Sequence, residues 1–298
     1  MSYAPIVLFA FNRLDALKIT VESLLKNSEA CKSDLYVFVD GHRLEIADES
    51  RKVRSVQEYI KNIKGFKSLT YHFSDENKGL GSSIISGVTR VLEEYGTVIV
   101  VEDDLFCTPN FLSFMNQGLQ KYKDESRIFS ICGYSNKIKL PKTYDSDAYF
   151  CVRSSSWGWA TWYDRWKSID WSIEDWTECE KNAKAFNKWG GSDCFGMLRG
   201  WKHGRNKSWA IRFCYSQFLQ DKLSVFPIRS KVLNNGFDGK GTNCGKWSRF
   251  NAQLDTTNIK EFKWPNTIEV NRVILKSALS YHSIAIRIWT KLMNLLSK

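Results

Sequence analysis

The apolar residues of the first third of the chain gather in short, unbroken runs. Pro5-Ile-Val-Leu-Phe-Ala-Phe11 is the earliest; Leu35-Tyr-Val-Phe-Val39, Leu69-Thr-Tyr-His-Phe73 and Val98-Ile-Val-Val-Val101 follow. Such runs lack the polar alternation of a half-exposed strand and predict strands covered on both faces, as in parallel sheets. Between them the spacing turns helical, over residues 14–25, a charged stretch at 44–63, and residues 82–94. Pro109 sits at the permissive first turn of a further helix reaching Tyr122.

Strand and helix therefore alternate through short connections, which predicts an α/β fold with a doubly wound, mostly parallel sheet flanked by helices. Ligands of such sheets lie at the carboxyl ends of the strands. Asn12, Arg13, Asp40 and the acidic triplet Glu102-Asp103-Asp104 all fall there. Beyond residue 125 the alternation fades. Ile128-Phe-Ser-Ile131 reads as one more strand, residues 150–176 are dense in Trp, and glycines recur around 190–204 and 236–245. This irregular half suits an acceptor site laid over a nucleotide-binding half. Without an internal repeat or low-complexity linker, residues 1–255 read as one catalytic domain and 256–298 as a tail. The tail has a net charge of +5. Its end places Ile284, Ala285, Ile288, Trp289, Leu292, Met293, Leu295 and Leu296 on one helical face and Arg287, Lys291, Asn294 and Lys298 on the other. A basic amphipathic helix of this kind lies in a membrane interface or packs on protein; both readings stand.

Composition narrows the partners. The net charge of +11 over 298 residues points to anions: nucleotide phosphates, lipid headgroups or nucleic acid. Nucleic acid is set aside because no clustered Lys/Arg accompanies a binding motif. Twelve Trp suit stacking on sugar faces, although most fill the core. Eight scattered cysteines without a CxxC pair argue against a zinc or thioredoxin-like site and suit a reducing, cytoplasmic compartment. Neither a leader-like start nor a run of about 18 apolar residues is present.

Three adjacent acids repel one another, and a divalent cation bridging a diphosphate removes that cost. Mg²⁺ and Mn²⁺ take hard oxygen ligands, commonly one or two carboxylates plus phosphate oxygens. A surface turn is the plainer account of such a triplet, but its position straight after Val98–Val101 favours a metal and nucleotide site. Asp40 can accept from a base or ribose, or serve as a turn residue before Gly41. Arg13 and Lys78 can reach phosphate, or be surface charges. Trp157-Gly158-Trp159 lets backbone approach a ligand beneath a ring, or forms an aromatic core corner.

These residues resemble those of GT-A-fold glycosyltransferases, similar to bacterial family 2-like sugar transferases and, more narrowly, to N-acetylglucosaminyltransferase I. The resemblance runs from Pro5 to about Gly241. It rests on the opening strand through Arg13, on Val39-Asp40-Gly41, on Val-Val-Glu102-Asp103-Asp104-Leu105 with Pro109-Asn-Phe111, and on Tyr149 to Trp166. It implies that Asp104 is the metal ligand, that Glu102 and Asp103 contact the donor's sugar and ribose, that Asp40 holds a uracil, and that Trp157, Gly158 and Trp159 cover the sugars. One departure stands out. Where the family carries its general base, this chain has Ser208-Trp-Ala-Ile-Arg212, without a carboxylate. Inversion needs a base, and Asp238 in Gly236-Phe-Asp-Gly-Lys-Gly241 is the candidate, with Asp164, Asp170, Glu174 and Asp175 as others.

The expectation is a metal-dependent transferase moving a sugar from a nucleoside-diphosphate donor, UDP-linked, to a hydroxyl of a glycan or lipid-linked oligosaccharide. Its implied setting is bacterial O-antigen or capsule synthesis, cytoplasmic or peripheral on the inner membrane face. A nucleotidyltransferase is the rival enzyme, but Phe11-Asn-Arg-Leu14 lacks that class's Gly-rich phosphate loop. A degenerate sugar-nucleotide binder is the other alternative.

Overall fold

The structure is a computed structural model describing residues 3–236, 249–250 and 252–296. Each of the four buried runs forms a strand: β1 (Ile6–Ala10), β2 (Asp34–Val39), β3 (Ser68–Phe73) and β4 (Thr97–Glu102). The intervening segments form α1 (Leu14–Leu25), α2 (Glu49–Lys61) and α3 (Leu80–Tyr95). The four strands pair in parallel in the order β3-β2-β1-β4. Chain direction across the sheet reverses between β1 and β4, so a crevice opens at their carboxyl ends. Arg13 follows β1 there, and the triplet ends β4.

The rest of the chain extends this sheet. It forms β5 (Leu105–Cys107), α4 (Phe111–Lys121), β6 (Ile128–Cys132), β7 (Ala148–Cys151) and β8 (Trp159–Trp162). Helices α5 (Tyr163–Lys167), α6 (Trp176–Lys181), α7 (Ala183–Gly190), α8 (Cys194–Lys202) and α9 (Trp209–Leu219) follow, then β9 (Leu223–Pro227) and β10 (Val232–Asn234). The sheet runs β3-β2-β1-β4-β8-β6-β9-β7, mixed rather than parallel beyond β4, because β8 enters antiparallel to both β4 and β6. A separate antiparallel pair, β5 with β10, sits beside the triplet. The half expected to be irregular thus supplies three further sheet strands, β7, β8 and β9.

Two apolar layers cover the sheet. One joins α1, α2 and α4 to its face through Leu17, Leu24, Val56, Phe111 and Phe114. The other stacks Trp159, Trp166, Trp209 and Phe213 beneath α3, α5 and α9. Trp159 was expected over a ligand. It is instead 2% exposed, with its ring against Trp166 at 5.6 Å and Trp209 at 4.9 Å. Its place on β8 directs it into the core.

The segment 252–264 straps across α4. Asn110 Nδ2 donates to Asp255 Oδ2 and to the Ile259 carbonyl, both at 2.9 Å, while Phe262 and Trp264 pack on Phe114. Lys231 and Asp255 form an ion pair with both side chains at or below 5% exposure. Helices α10 (Arg272–Ser280) and α11 (Ile284–Leu296) follow. Helix α11 is turned outward. Ile286, Arg287, Thr290, Met293 and Asn294 face the domain, whereas Ile284, Ile288, Trp289, Leu292, Leu295 and Leu296 are exposed. Among the described residues, no helix is long and apolar enough to cross a membrane.

Truncating one member of a buried ion pair strands the other charge. Asp255→Ala, which leaves Lys231 buried and unpaired, should cost about 3–5 kcal/mol in urea unfolding. A loss below about 1 kcal/mol would show that the strap is not held by this pair.

Candidate functional site

The crevice between β1 and β4 is organised by one guanidinium. Arg13 Nη2 donates to Asp103 Oδ1 at 2.7 Å and to Asp104 Oδ2 at 3.0 Å. Burial acts against the Arg13 charge, but the two carboxylates outweigh it and hold the group firmly protonated. Asp103 also accepts from the Phe11 N–H through Oδ2 at 3.2 Å. Both of its oxygens therefore serve the chain, and it lies beneath the crevice, tying the end of β1 to the end of β4. Burial, outweighing Arg13, pushes its pKa up to about 6. Glu102 is pushed up to about 8, by burial first and then by Asp104 and Asp103. Beyond burial, the adjacent acids thus raise one another's pKa.

Asp104 differs from its neighbours. Its Oδ2 is on Arg13, while Oδ1 is buried without a hydrogen-bond partner among the described residues. Its backbone carbonyl accepts from Asn235 N–H at 2.8 Å. A Cβ on Gly236 would stand 2.5 Å from Asp104 Oδ2, so glycine is needed for this approach. An orphaned buried carboxylate oxygen is costly in isolation. Among the described residues no three His, Cys, Asp or Glu side chains converge as a metal cage. One carboxylate completed by diphosphate oxygens is nonetheless a usual way to hold Mg²⁺ or Mn²⁺, and Asp104 fits it.

Asp40 ends β2 and stabilises the loop before α3. Its Oδ1 accepts from Lys78 N–H at 2.8 Å and Gly41 N–H at 3.1 Å, and its Oδ2 from Gly79 N–H at 2.7 Å. The carboxylate expected to face a base is turned onto backbone amides, and the loop it positions carries the exposed Lys78 side chain. A neighbouring network was not foreseen. Glu49, 2% exposed, accepts from Asn12 Nδ2 at 3.0 Å and from Arg43 Nη2 at 2.6 Å, and Arg43 lies over the Phe11 ring. Arg43, first among these contacts, depresses the Glu49 pKa to about 2. Only the positions of Asn12 and Phe11 at a strand end hinted at this arrangement.

Gly158 lies against Val232 of β10, and Trp157 precedes it. Gly158 has φ +59°, and a Cβ there would meet Val232 Cγ1 at 3.0 Å and Phe111 at 3.1 Å. Its glycine thus answers to packing rather than to a ligand's approach. Trp157 is half-buried and edge-on to Tyr134 (4.6 Å) and Phe250 (5.3 Å). The candidate bases divide. Asp164 pairs with Arg165, Asp170 accepts from the Ser172, Ile173 and Glu174 N–H groups, and Asp175 caps α6. Ser208 caps α9, and Arg212 lies over Trp171 and Trp201. Asp238 lies outside the described residues.

Crevice, crowded acids and mixed sheet together define a GT-A-type fold. The model of the GNT-I family matches residues 1–185, and the chain belongs to that family. A search of curated proteins finds no match. Among solved structures the chain is similar to the mannosyltransferase PcManGT of Pyrobaculum calidifontis, in complex with GDP-Man and Mn²⁺. Identity is 11% over 55% of this chain and 46% of that one, with a TM-score of 0.36. It is also similar to GalNAc-T7 with UDP, GalNAc and Mn²⁺ (13% identity, 78% and 44% coverage, TM-score 0.49). A third is S. aureus TarS (13%, 49% and 24%, TM-score 0.31). The chain spans less than half the length of each of these structures.

The grip of Asp40 on its loop is directly testable. Asp40→Ala removes the acceptor of two short bonds, each charge-assisted and worth about 1.5–3 kcal/mol. Amide exchange at Lys78 and Gly79 should accelerate at least tenfold while the β1 amides stay protected. Unchanged exchange at both positions would show that the loop is held by other contacts.

Proposed function

We propose that this chain transfers a sugar, hexosyl or N-acetylhexosaminyl, from a UDP-linked donor to a hydroxyl of a glycan or lipid-linked oligosaccharide, with inversion, in bacterial O-antigen or capsule synthesis. The observation that carries the reading is the orphaned Asp104 Oδ1 at the strand-order reversal of a GNT-I family fold. Asp104 would hold a divalent cation, Mn²⁺ or Mg²⁺. Such a cation supplies Lewis-acid neutralisation of charge on a departing diphosphate. Arg13 is already committed to Asp103 and Asp104, so it sets the carboxylate's orientation and limits the net negative charge that a diphosphate meets. Lys78, carried on the loop that Asp40 fixes, would meet phosphate. The developing leaving-group charge is where such groups contribute most.

Asp238 remains the proposed base. Gly236 abuts Asp104, and two further residues of chain span at most about 7 Å. A degenerate binder is the second reading, favoured by the lack of a carboxylate among the described residues lining the cavity beyond Trp157. Two variants separate the readings. UDP-sugar turnover with Mn²⁺ should fall by two orders of magnitude or more in Asp104→Ala and on adding EDTA, and metal-independent turnover in that variant would sink the metal site. Asp238→Asn should abolish transfer while preserving UDP binding. Full transfer would discard Asp238, and a wild-type chain that binds UDP but never transfers would favour the degenerate binder.

The outward apolar arc of α11 supports peripheral contact with the inner face of the cell membrane, with Lys291 beside it. Free thiols among the described cysteines, all but Cys31 buried, suit that compartment. Burying a Trp or Leu side chain is worth about 1.5–3 kcal/mol. Trp289→Ser combined with Leu292→Ser should therefore reduce co-flotation with anionic phospholipid vesicles at least tenfold. Equal flotation would assign the arc to a protein contact.

A further inference from the structure

Beyond Trp157 lies a cavity of about 250 Å³. Tyr134, Trp157 and Phe250 give it an aromatic wall, Ser154 to Ser156 a polar rim, and Arg153 and His282 a basic side. That volume is just below the roughly 300–1,000 Å³ of drug-sized ligand sites and suits a single sugar unit. A chain of contacts links it to the crevice: Gly158, next to Trp157, packs on Val232 of β10, and β10 pairs with β5, the strand that follows the triplet.

The electrostatics of the basic side are unbalanced. Asp193 accepts from Arg153 Nη1 at 2.7 Å and from Nη2 at 3.3 Å. The same carboxylate faces Arg249 Nη2 at 3.9 Å and His282 Nδ1 at 3.7 Å, both beyond hydrogen-bonding distance. Arg249 Nε and His282 Nδ1 are buried without hydrogen-bond partners among the described residues. Arg287, anchored on Ser192 Oγ at 3.3 Å, adds a third guanidinium whose charge acts on Arg249. Among the described residues, one carboxylate thus stands among three guanidiniums. Burial first, then Arg153, lowers the His282 pKa to about 4, which keeps the imidazole neutral near pH 7. Buried positive charge of this kind is costly unless an anion completes it. The planar guanidinium fork matches carboxylate and phosphate oxygens in pairs.

We propose that this cavity is the acceptor subsite and that it takes an oxyanion carried by the acceptor, either the carboxylate of an acidic sugar or a carrier phosphate. This rests on the glycosyl-transfer reading above, and it adds to that reading a substrate class, an anionic acceptor. Arg153 is a structural cation, locked on Asp193 and the Gly190 carbonyl. Arg249, whose guanidinium lies 4.5 Å over the Phe250 ring of the cavity wall, is the less committed cation and the one to meet the ligand, with Trp157 and Phe250 flanking the sugar.

Calorimetric titration of the full chain tests this with sodium glucuronate, inorganic phosphate and glucose, alongside a separate titration of UDP with Mn²⁺. Glucuronate or phosphate should bind roughly tenfold or more tightly than glucose, the weight of one charge-assisted hydrogen bond. Arg249→Gln should erase that preference without changing UDP affinity, and Arg249→Lys should restore part of it. Preference for glucuronate alone assigns an acidic sugar, and preference for phosphate alone assigns a phosphate carrier. Equal affinity for glucose and both anions overturns the proposal, as does an unchanged preference in a folded Arg249→Gln chain. Loss of UDP binding by the wild type, with anion preference intact, would remove the transferase reading and leave the oxyanion site standing.

Discussion

The structure depends on the sharing of one guanidinium by two adjacent carboxylates. Three acids at the end of a buried strand are electrostatically unfavourable, and Arg13, arriving from the next strand over, relieves part of that cost. Because Asp103 also holds the Phe11 amide, the same contact sets the ends of β1 and β4 against each other. The crevice is therefore a fixed distance across before any ligand enters. Asp104 is what remains, with one oxygen on Arg13 and one with no partner among the described residues. Preorganisation of this kind lets the fold, rather than the ligand, bear the cost of assembling the site.

The loops around the crevice repeat that logic. Asp40 spends its charge on amides of the 78–79 loop, and Glu49 spends its charge on Arg43 and Asn12. One acid after β2 and one at the start of α2 thus each fix a neighbouring segment. The acids are legible in the chain; their partners are not. A strand-end Asp before glycine can face a nucleotide or its own loop, and local pattern does not separate the two.

The N-terminal half was readable because its strands are unbroken apolar runs and its polar residues follow them directly. The second half resisted for physical reasons. Strands β7 and β8 are four residues long, too short for periodicity to distinguish from core turns. Trp159 and Trp157 lie two residues apart, yet the first is sunk against Trp166 and Trp209 while the second borders a cavity. Trp157 lies before β8, outside its pleat, whereas Trp159 opens the strand and is directed into the core. Gly158 looked like a ligand's doorway, and its requirement comes from Val232 and Phe111, far away in sequence. The cluster of Arg153, Asp193, Arg249 and His282 has no sequence signature, since four distant segments meet to build it. Its excess of cations becomes visible only when they are counted in space.

The orientation of α11 has a thermodynamic consequence. The helix seats its polar side on the domain through Arg287, and its first turn begins two residues after His282, a wall of the basic cavity. Tilting the helix therefore moves cavity walls, and rearranging the cavity moves the helix. Sites joined by one rigid element share a coupling free energy, and coupling is reciprocal. By whatever factor contact along the outer arc of α11 alters affinity inside the cavity, occupancy of the cavity alters that outer contact equally.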